Sequence, residues 1–246
     1  MTTQYTVRRG AESYGHAIGI LLIDCSTPFI PGDVGNATTY PFPVLYRTVP
    51  DVTLTRLIDE ADKSLTDNII RTAKELEMHG VRAISSDCGY MIHFQSVVAE
   101  AVSVPVIMSS LIQLPMLERT ISKDKRIGLI CAKKSRMTED MLLAAGLQDS
   151  GRVVIYGMEH SAPFRNPILE EKPLLDASLI AADMVNTATS MIEEHPEIGP
   201  ILLECSNMPP YAQAVQRATG RPVFDFTTLI GIFETASFRR PFHGFY

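Results

Sequence analysis

The chain of 246 residues repeats itself, and that repeat limits its architecture more than any other feature. The apolar opening Ile18-Gly19-Ile20-Leu21 returns as Ile127-Gly128-Leu129-Ile130. The run VRAISSDC, ending at Cys88, is matched by PILLEC, ending at Cys205. Behind the cysteines come GYM (89–91) and SNM (206–208), then a short amphipathic stretch, then VPV (104–106) and RPV (221–223), and last SSLI (109–112) and TTLI (227–230). An internal repeat on this scale means one structural unit used twice. Each cysteine-ended run is apolar, β-prone and broken by a polar turn, so both cysteines are predicted at the C-terminal ends of strands.

Between these landmarks strand and helix patterns alternate. Strands are predicted over 18–24, 44–49, 83–88, 104–109, 127–132, 153–158, 201–205 and 223–226. Helices are predicted over 54–79, 91–102, 111–121, 138–145, 175–194, 210–219 and 229–238. The first helix rests on Leu57, Ile58, Ala61, Leu65, Ile69, Ala73 and Leu76 at helical spacing, with Gly80 as its stop. Such alternation implies parallel sheets with helices on both faces. The fold class expected is α/β, with two pseudo-symmetric, doubly wound parallel-sheet domains facing a central cleft. The polar run SKDKR (122–126) marks the boundary. Residues 1–121 form the first domain, completed by a C-terminal helix within 227–246, and residues 122–226 form the second.

Composition narrows the function. At 46% hydrophobic and 20% charged the chain has ample core. Apolar runs such as 17–23 are too short to span a bilayer, and the start MTTQY lacks the order of a signal peptide, so a cytoplasmic protein without membrane contact is expected. A net charge of −6 with no basic block argues against nucleic acid. Small molecules are the expected partners, and a homo-oligomer is compatible with the sequence. Loop 26–43, rich in glycine and proline, is either functional or a set of turns around Gly32-Asp33 and Gly35-Asn36. It has neither the dinucleotide fingerprint nor the P-loop spacing, and no cofactor is expected.

Four cysteines, Cys25, Cys88, Cys131 and Cys205, stand apart from one another, which excludes a zinc-ligand pattern and a CxxC motif. A lone cysteine is ordinarily a small buried apolar residue. Cys131 is read so, and Cys25 fits either role. Symmetric placement assigns Cys88 and Cys205 to chemistry, because ligands of parallel sheets bind beyond the strand C-termini. Two thiols, one from each half, face a substrate from opposite sides and suit removal of a proton from one face of a carbon and delivery to the other. A free thiol titrates near about 8.5, so the peptide N–H groups of the adjoining turns are expected to lower it. Ser85, Ser109, Ser110, Ser206, Asn207 and Thr227 are candidates to bind a carboxylate, although such hydroxyls commonly cap helices. Asp24 is expected to face the cleft. His93 reads as an ordinary helix residue, His79 as a helix-end residue, and Glu204 is expected to point away from Cys205 by strand alternation.

The motifs GDVGN (32–36), SDCG (86–89), VPVIMSSL (104–111) and LECSNMPPY (203–211) resemble those of the aspartate/glutamate racemase superfamily. That superfamily includes amino-acid, hydantoin and allantoin racemases, maleate isomerase and arylmalonate decarboxylase. The resemblance runs from Ile18 to Phe233 and implies a cofactor-independent enzyme of two α/β domains with one catalytic cysteine from each. Asn36, Asp87 and Gly89, which stand in these motifs, join the substrate-binding set by the same resemblance. Many racemases of the group read Cys-Asn-Thr and Cys-Thr-His, where this chain reads Cys88-Gly89-Tyr90 and Cys205-Ser206-Asn207, so the histidine beside the second thiol is absent. Asp87 stands where a neutral side chain is common, which disfavours an acidic substrate or favours a cationic one. The function implied is a two-cysteine racemase or epimerase of a small carboxylate. The alternatives are a cysteine-dependent cis–trans isomerase or decarboxylase of a diacid, and a non-catalytic small-molecule-binding protein.

Overall fold

The computed structural model describes residues 4–245. Met1, Thr2, Thr3 and Tyr246, the outermost residues of the predicted domain spans, lie outside them. Strands β1 (Ile18–Leu22), β2 (Val44–Thr48), β3 (Ala83–Ser86) and β4 (Val106–Ile107) form one sheet in the order β2-β1-β3-β4. Strands β5 (Arg126–Cys131), β6 (Val153–Gly157), β7 (Ile198–Leu203) and β8 (Val223–Phe224) form the other in the order β6-β5-β7-β8. All pairings are parallel, and the register sets Ile18 beside Val44 and Ala83 just as Leu129 sits beside Ile155 and Leu202. The architecture is therefore α/β with two sheets of identical order. Central strands buried on both faces explain the near-continuous apolar sequences IGILL and RIGLIC.

The repeated glycine of those strands serves helix packing. A Cβ on Gly19 would lie 3.1 Å from Leu76 of helix α1 (Thr66–Met78), and one on Gly128 would lie 2.5 Å from Met191 of helix α6 (Ala177–Glu194). Each half thus brings a helix close against its central strand at the same position. On the other face of the first sheet, helix α8 (Phe226–Ser237) packs Phe226, Leu229 and Ile230 against Ile18, Ile20, Ala83 and Ile107. Burying each such side chain contributes roughly 1.5–3 kcal/mol. A capping box starts α8: the Asp225 carboxylate accepts from the Thr228 N–H at 3.0 Å, and the Asp225 N–H donates to the Thr228 hydroxyl at 3.0 Å.

The helix expected over 54–79 is broken. Thr55–Asp59 forms a π-type turn, Ala61 takes a left-handed conformation (φ 48°), and α1 begins only at Thr66 after a 3-10 turn capped by Asp62. Arg56 holds that corner by donating to Asp62 from Nε (3.0 Å) and Nη2 (2.7 Å). The apolar spacing runs through the break, and local capping by Asp62 wins over it. The shorter helices are α2 (Gln95–Ala101), α3 (Leu114–Thr120), α4 (Glu139–Ala144), α5 (Ala162–Ile168) and α7 (Ala212–Thr219). Helix α5 has no counterpart among the predicted helices because of its two prolines. Pro163 lies in the first turn, where no N–H is needed, and Ser161 caps that turn by accepting from the Phe164 N–H at 3.3 Å. Among the described residues no helix is long and apolar enough to cross a membrane.

Candidate active site

Strands β3 and β7 hold the same place in their sheets, and both stop short of the positions expected from sequence, at Ser86 and Leu203. Cys88 and Cys205 therefore sit two residues beyond the sheet, in the turns leading to 3-10 segments Gly89–Phe94 and Pro209–Tyr211. The peptide N–H two residues on, of Tyr90 for Cys88 and of Asn207 for Cys205, favours the thiolate form of each sulfur. The two thiols line a single cavity together with Cys25, and all the cysteines are free. Ile23, Phe29, Leu54, Ile58, Ile168 and Leu169 supply its apolar walls. The space enclosed is about 20 Å³, room for about one water. A substrate of several heavy atoms is admitted only when part of this wall moves.

Loop 26–43 closes one side of the cavity. Thr27 and Phe29 line it, and Gly32 (φ 99°) passes so near Pro210 that a Cβ would lie 2.9 Å from the proline Cα. Asp33 fixes the loop to the second half: Asn207 Nδ2 donates to its Oδ2 at 2.6 Å, and the Gly35 N–H donates to its Oδ1 at 2.9 Å. The Val34 N–H donates to the Ser206 carbonyl at 3.2 Å, and Tyr40 and Tyr46 donate their hydroxyls to the Val34 carbonyl. Across the same junction the Tyr90 hydroxyl donates to the Lys133 carbonyl at 2.9 Å.

Two buried carboxyls reach the cavity from opposite sheets. Asp87 accepts the Ile23 N–H on Oδ1 at 2.9 Å, and Glu204 accepts the Ala132 N–H on Oε2 at 3.3 Å. Among the described residues, Asp87 Oδ2 and Glu204 Oε1 take no hydrogen bond. Gly89 is what admits Glu204: a Cβ there would lie 1.9 Å from Glu204 Oε1 and 2.7 Å from the Glu204 carbonyl oxygen. Burial raises both acids, Asp87 to about 8 and Glu204 to about 7, and raises Asp33 to about 7 against the bonds from Gly35 and Asn207. The thiols are raised as well. Burial pushes Cys88 and Cys205 well above the usual thiol range, the Glu204 charge adds to it, and the single N–H on each sulfur only partly offsets them. The lowering expected from the turn N–H groups is thus outweighed.

Other sequence candidates sort clearly. Ser206, Asn207, Asp87 and Gly89 line the cavity with the thiols. Ser206 donates its hydroxyl to the Asp87 carbonyl, and Asn207 accepts from the Cys205 thiol at 3.4 Å. Asp24 is exposed and outside the cavity wall, because the chain turns at the end of β1 and leaves Ile23 facing inward. Asn36 lies off the wall too, capping the turn at Ala37–Thr39 and donating to the Phe29 carbonyl at 2.9 Å. Ser85 donates to the Ile107 carbonyl (3.1 Å), Ser109 accepts from the Leu111 N–H (3.2 Å), and Ser110 donates to the Leu203 and Glu204 carbonyls (3.0 and 3.1 Å). These three hydroxyls tie backbone together and do not reach the cavity. His93 is exposed, and His79 is held between Arg47 and the Glu75 carbonyl. Glu204 corrects the alternation argument: β7 has already ended at Leu203, so residue 204 is free to turn toward the thiols.

No family model matches the chain. A dimethylsulfoniopropionate lyase of Durusdinium sp. clade D is 33% identical over 218 residues, covering 85% of this chain and 71% of that one. A dimethylsulfoniopropionate lyase of Emiliania huxleyi is 31% identical over 221 residues, covering 86% of this chain and 57% of that one. In three dimensions the chain is similar to allantoin racemase from Klebsiella pneumoniae (TM-score 0.64, 16% identity, 89% of this chain and 87% of that one). It is also similar to a glycine-to-cysteine mutant of arylmalonate decarboxylase (TM-score 0.61, 16% identity, 92% of this chain and 96% of that one). A twice-used α/β unit with a cysteine at each matching strand end, and a sequence a third identical to such a lyase, together place this chain in the dimethylsulfoniopropionate lyase family, on the fold of the aspartate/glutamate racemase superfamily.

Proposed function

We propose that the protein is a cofactor-independent lyase that cleaves dimethylsulfoniopropionate, using one of the two cavity thiols as base. The observation that carries this reading is the convergence of Cys88 and Cys205, from equivalent strand ends, on one enclosed cavity. A thiolate removes a proton from the carbon next to the carboxylate. The electron pair left behind forms the carbon–carbon double bond while the bond from the β-carbon to sulfur breaks. Dimethyl sulfide departs neutral, acrylate remains, and the proton rests on the cysteine. A thiol raised by burial and by Glu204 is a poor base on its own. A substrate carrying a sulfonium charge improves it on arrival, since a nearby positive charge favours the thiolate. Free thiols of this kind suit a reducing compartment such as the cytoplasm.

The presence of a thiol from each half also favours a second reading, a two-base racemase or epimerase of a small carboxylate. Both reactions begin with α-proton removal and differ in the fate of the electron pair, which expels the β-substituent in one and takes back a proton in the other. The discriminating experiment is incubation of the protein with dimethylsulfoniopropionate in deuterium oxide, with dimethyl sulfide read by gas chromatography and acrylate by NMR. Release of both in equal amounts is expected. Absence of dimethyl sulfide, together with inversion and α-deuteration of a chiral carboxylate from a panel, would overturn the lyase reading in favour of the racemase.

A further inference from the structure

The cavity has the makings of a cation site: two buried carboxyls reach it, and among the described residues no basic side chain meets them there. Asp87 and Glu204 are 3% and 0% exposed, each with one carboxylate oxygen free of any hydrogen bond among the described residues. Among the described residues no lysine, arginine or histidine lines the cavity. The basic residues next after Ala132 are committed elsewhere, Lys133 to an ion pair with Asp59 and Lys134 to a position 5.5 Å over the Tyr156 ring. A buried carboxyl with no charge partner keeps its proton, and a cation arriving beside it supplies the charge against which it ionises. The wall also carries an apolar stretch, with Ile23, Phe29, Leu54 and Ile58 suited to methyl groups around that charge.

We propose that Asp87 and Glu204 together form the recognition site for an onium group, selecting substrates whose β-substituent is a methylated cation over uncharged molecules of the same shape. This inference rests on the lyase reading for the identity of the substrate, but not for the charge preference itself. Glu204 is the more telling of the pair, because Gly89 leaves it the space it occupies. Neither carboxyl serves as the base of the reaction; each releases its proton to solvent as the cation arrives. Their task is to hold the sulfonium end against the wall so that the α-carbon is presented to a thiol.

The test compares two ligands that differ by one atom, 3-(trimethylammonio)propanoate and its carbon isostere 4,4-dimethylpentanoate. Binding to the full chain is measured by calorimetry, with no turnover required. The cationic ligand is expected to bind at least tenfold more tightly, and Glu204→Gln or Asp87→Asn is expected to reduce that ratio by about tenfold. Equal binding of the two ligands, binding of neither, or a ratio unchanged in both folded variants overturns the proposal. If a variant fails to fold, the ratio for the unmodified chain still decides. Outcomes for the two readings separate cleanly. A cation preference without dimethyl sulfide release leaves this site standing and removes the lyase, whereas release with equal binding does the reverse.

Discussion

At Cys88 and Cys205 one backbone N–H on each sulfur works against complete burial and the Glu204 charge, and burial prevails. Their chemistry therefore depends on what shares the cavity with them. Replacing either thiol by alanine removes few atoms and is expected to leave the fold intact. Loss of the base should lower turnover by about 10²–10⁴-fold. For the lyase, one variant alone loses dimethyl sulfide release and thereby names the base. A two-base racemase instead loses inversion in both variants while each retains exchange on one face, and NMR in deuterium oxide separates these patterns. Gly89 matters at the same scale. Gly89→Ala places a methyl group against both the Glu204 carboxyl and its backbone carbonyl, so the strand-end turn must shift and not merely a side-chain tip. Activity is expected to fall at least tenfold with secondary structure retained, as measured by initial rates alongside circular dichroism.

Among the elements, it is the irregular ones that shape the site. The break between the Thr55–Asp59 turn and α1 lets Leu54 and Ile58 enter the cavity wall, where a continuous helix over 54–79 would carry them along its own axis. Loop 26–43 is held by the close pass of Gly32 over Pro210 and by the Asp33–Asn207 bond. Gly32→Ala meets both the left-handed backbone and the proline Cα, a strain of about 1–3 kcal/mol. The expected result is a lower urea midpoint together with faster proteolytic nicking within the loop. Nicking at the unmodified rate would show that the loop is not held by this contact. In α5, Ile168 is delivered to the cavity by a helix whose two prolines conceal it from a propensity reading.

Taken whole, the molecule encloses Asp33, Asp87 and Glu204, whose carboxyls are raised by burial to about 7, 8 and 7. In the unfolded chain the same groups titrate near about 4. Between those values the folded protein holds more protons than the unfolded one, so stability falls as pH rises through the window and levels off above it. Melting temperatures from pH 5 to 8.5 should decline, and Glu204→Gln combined with Asp87→Asn should flatten the decline; an unchanged slope would show that these carboxyls do not retain their protons. What the sequence determined by itself was the α/β class, the use of one unit twice, and the place of the thiols. Apolar runs, glycines and cysteines recur at matching positions because each half folds the same unit, and parallel-sheet topology sends its strand ends to one side. Asp87, Gly89, Ser206 and Asn207 were legible with them as immediate neighbours of those cysteines. Only the tertiary structure decided that Glu204 joins them, that Asp24, Asn36, Ser85, Ser109 and Ser110 do not, and that Leu54, Ile58 and Ile168 close the wall. Strand length is the physical reason: ending β7 at Leu203 and β1 at Leu22 frees the next residues from alternation, and where they turn is set by what the opposite half leaves open.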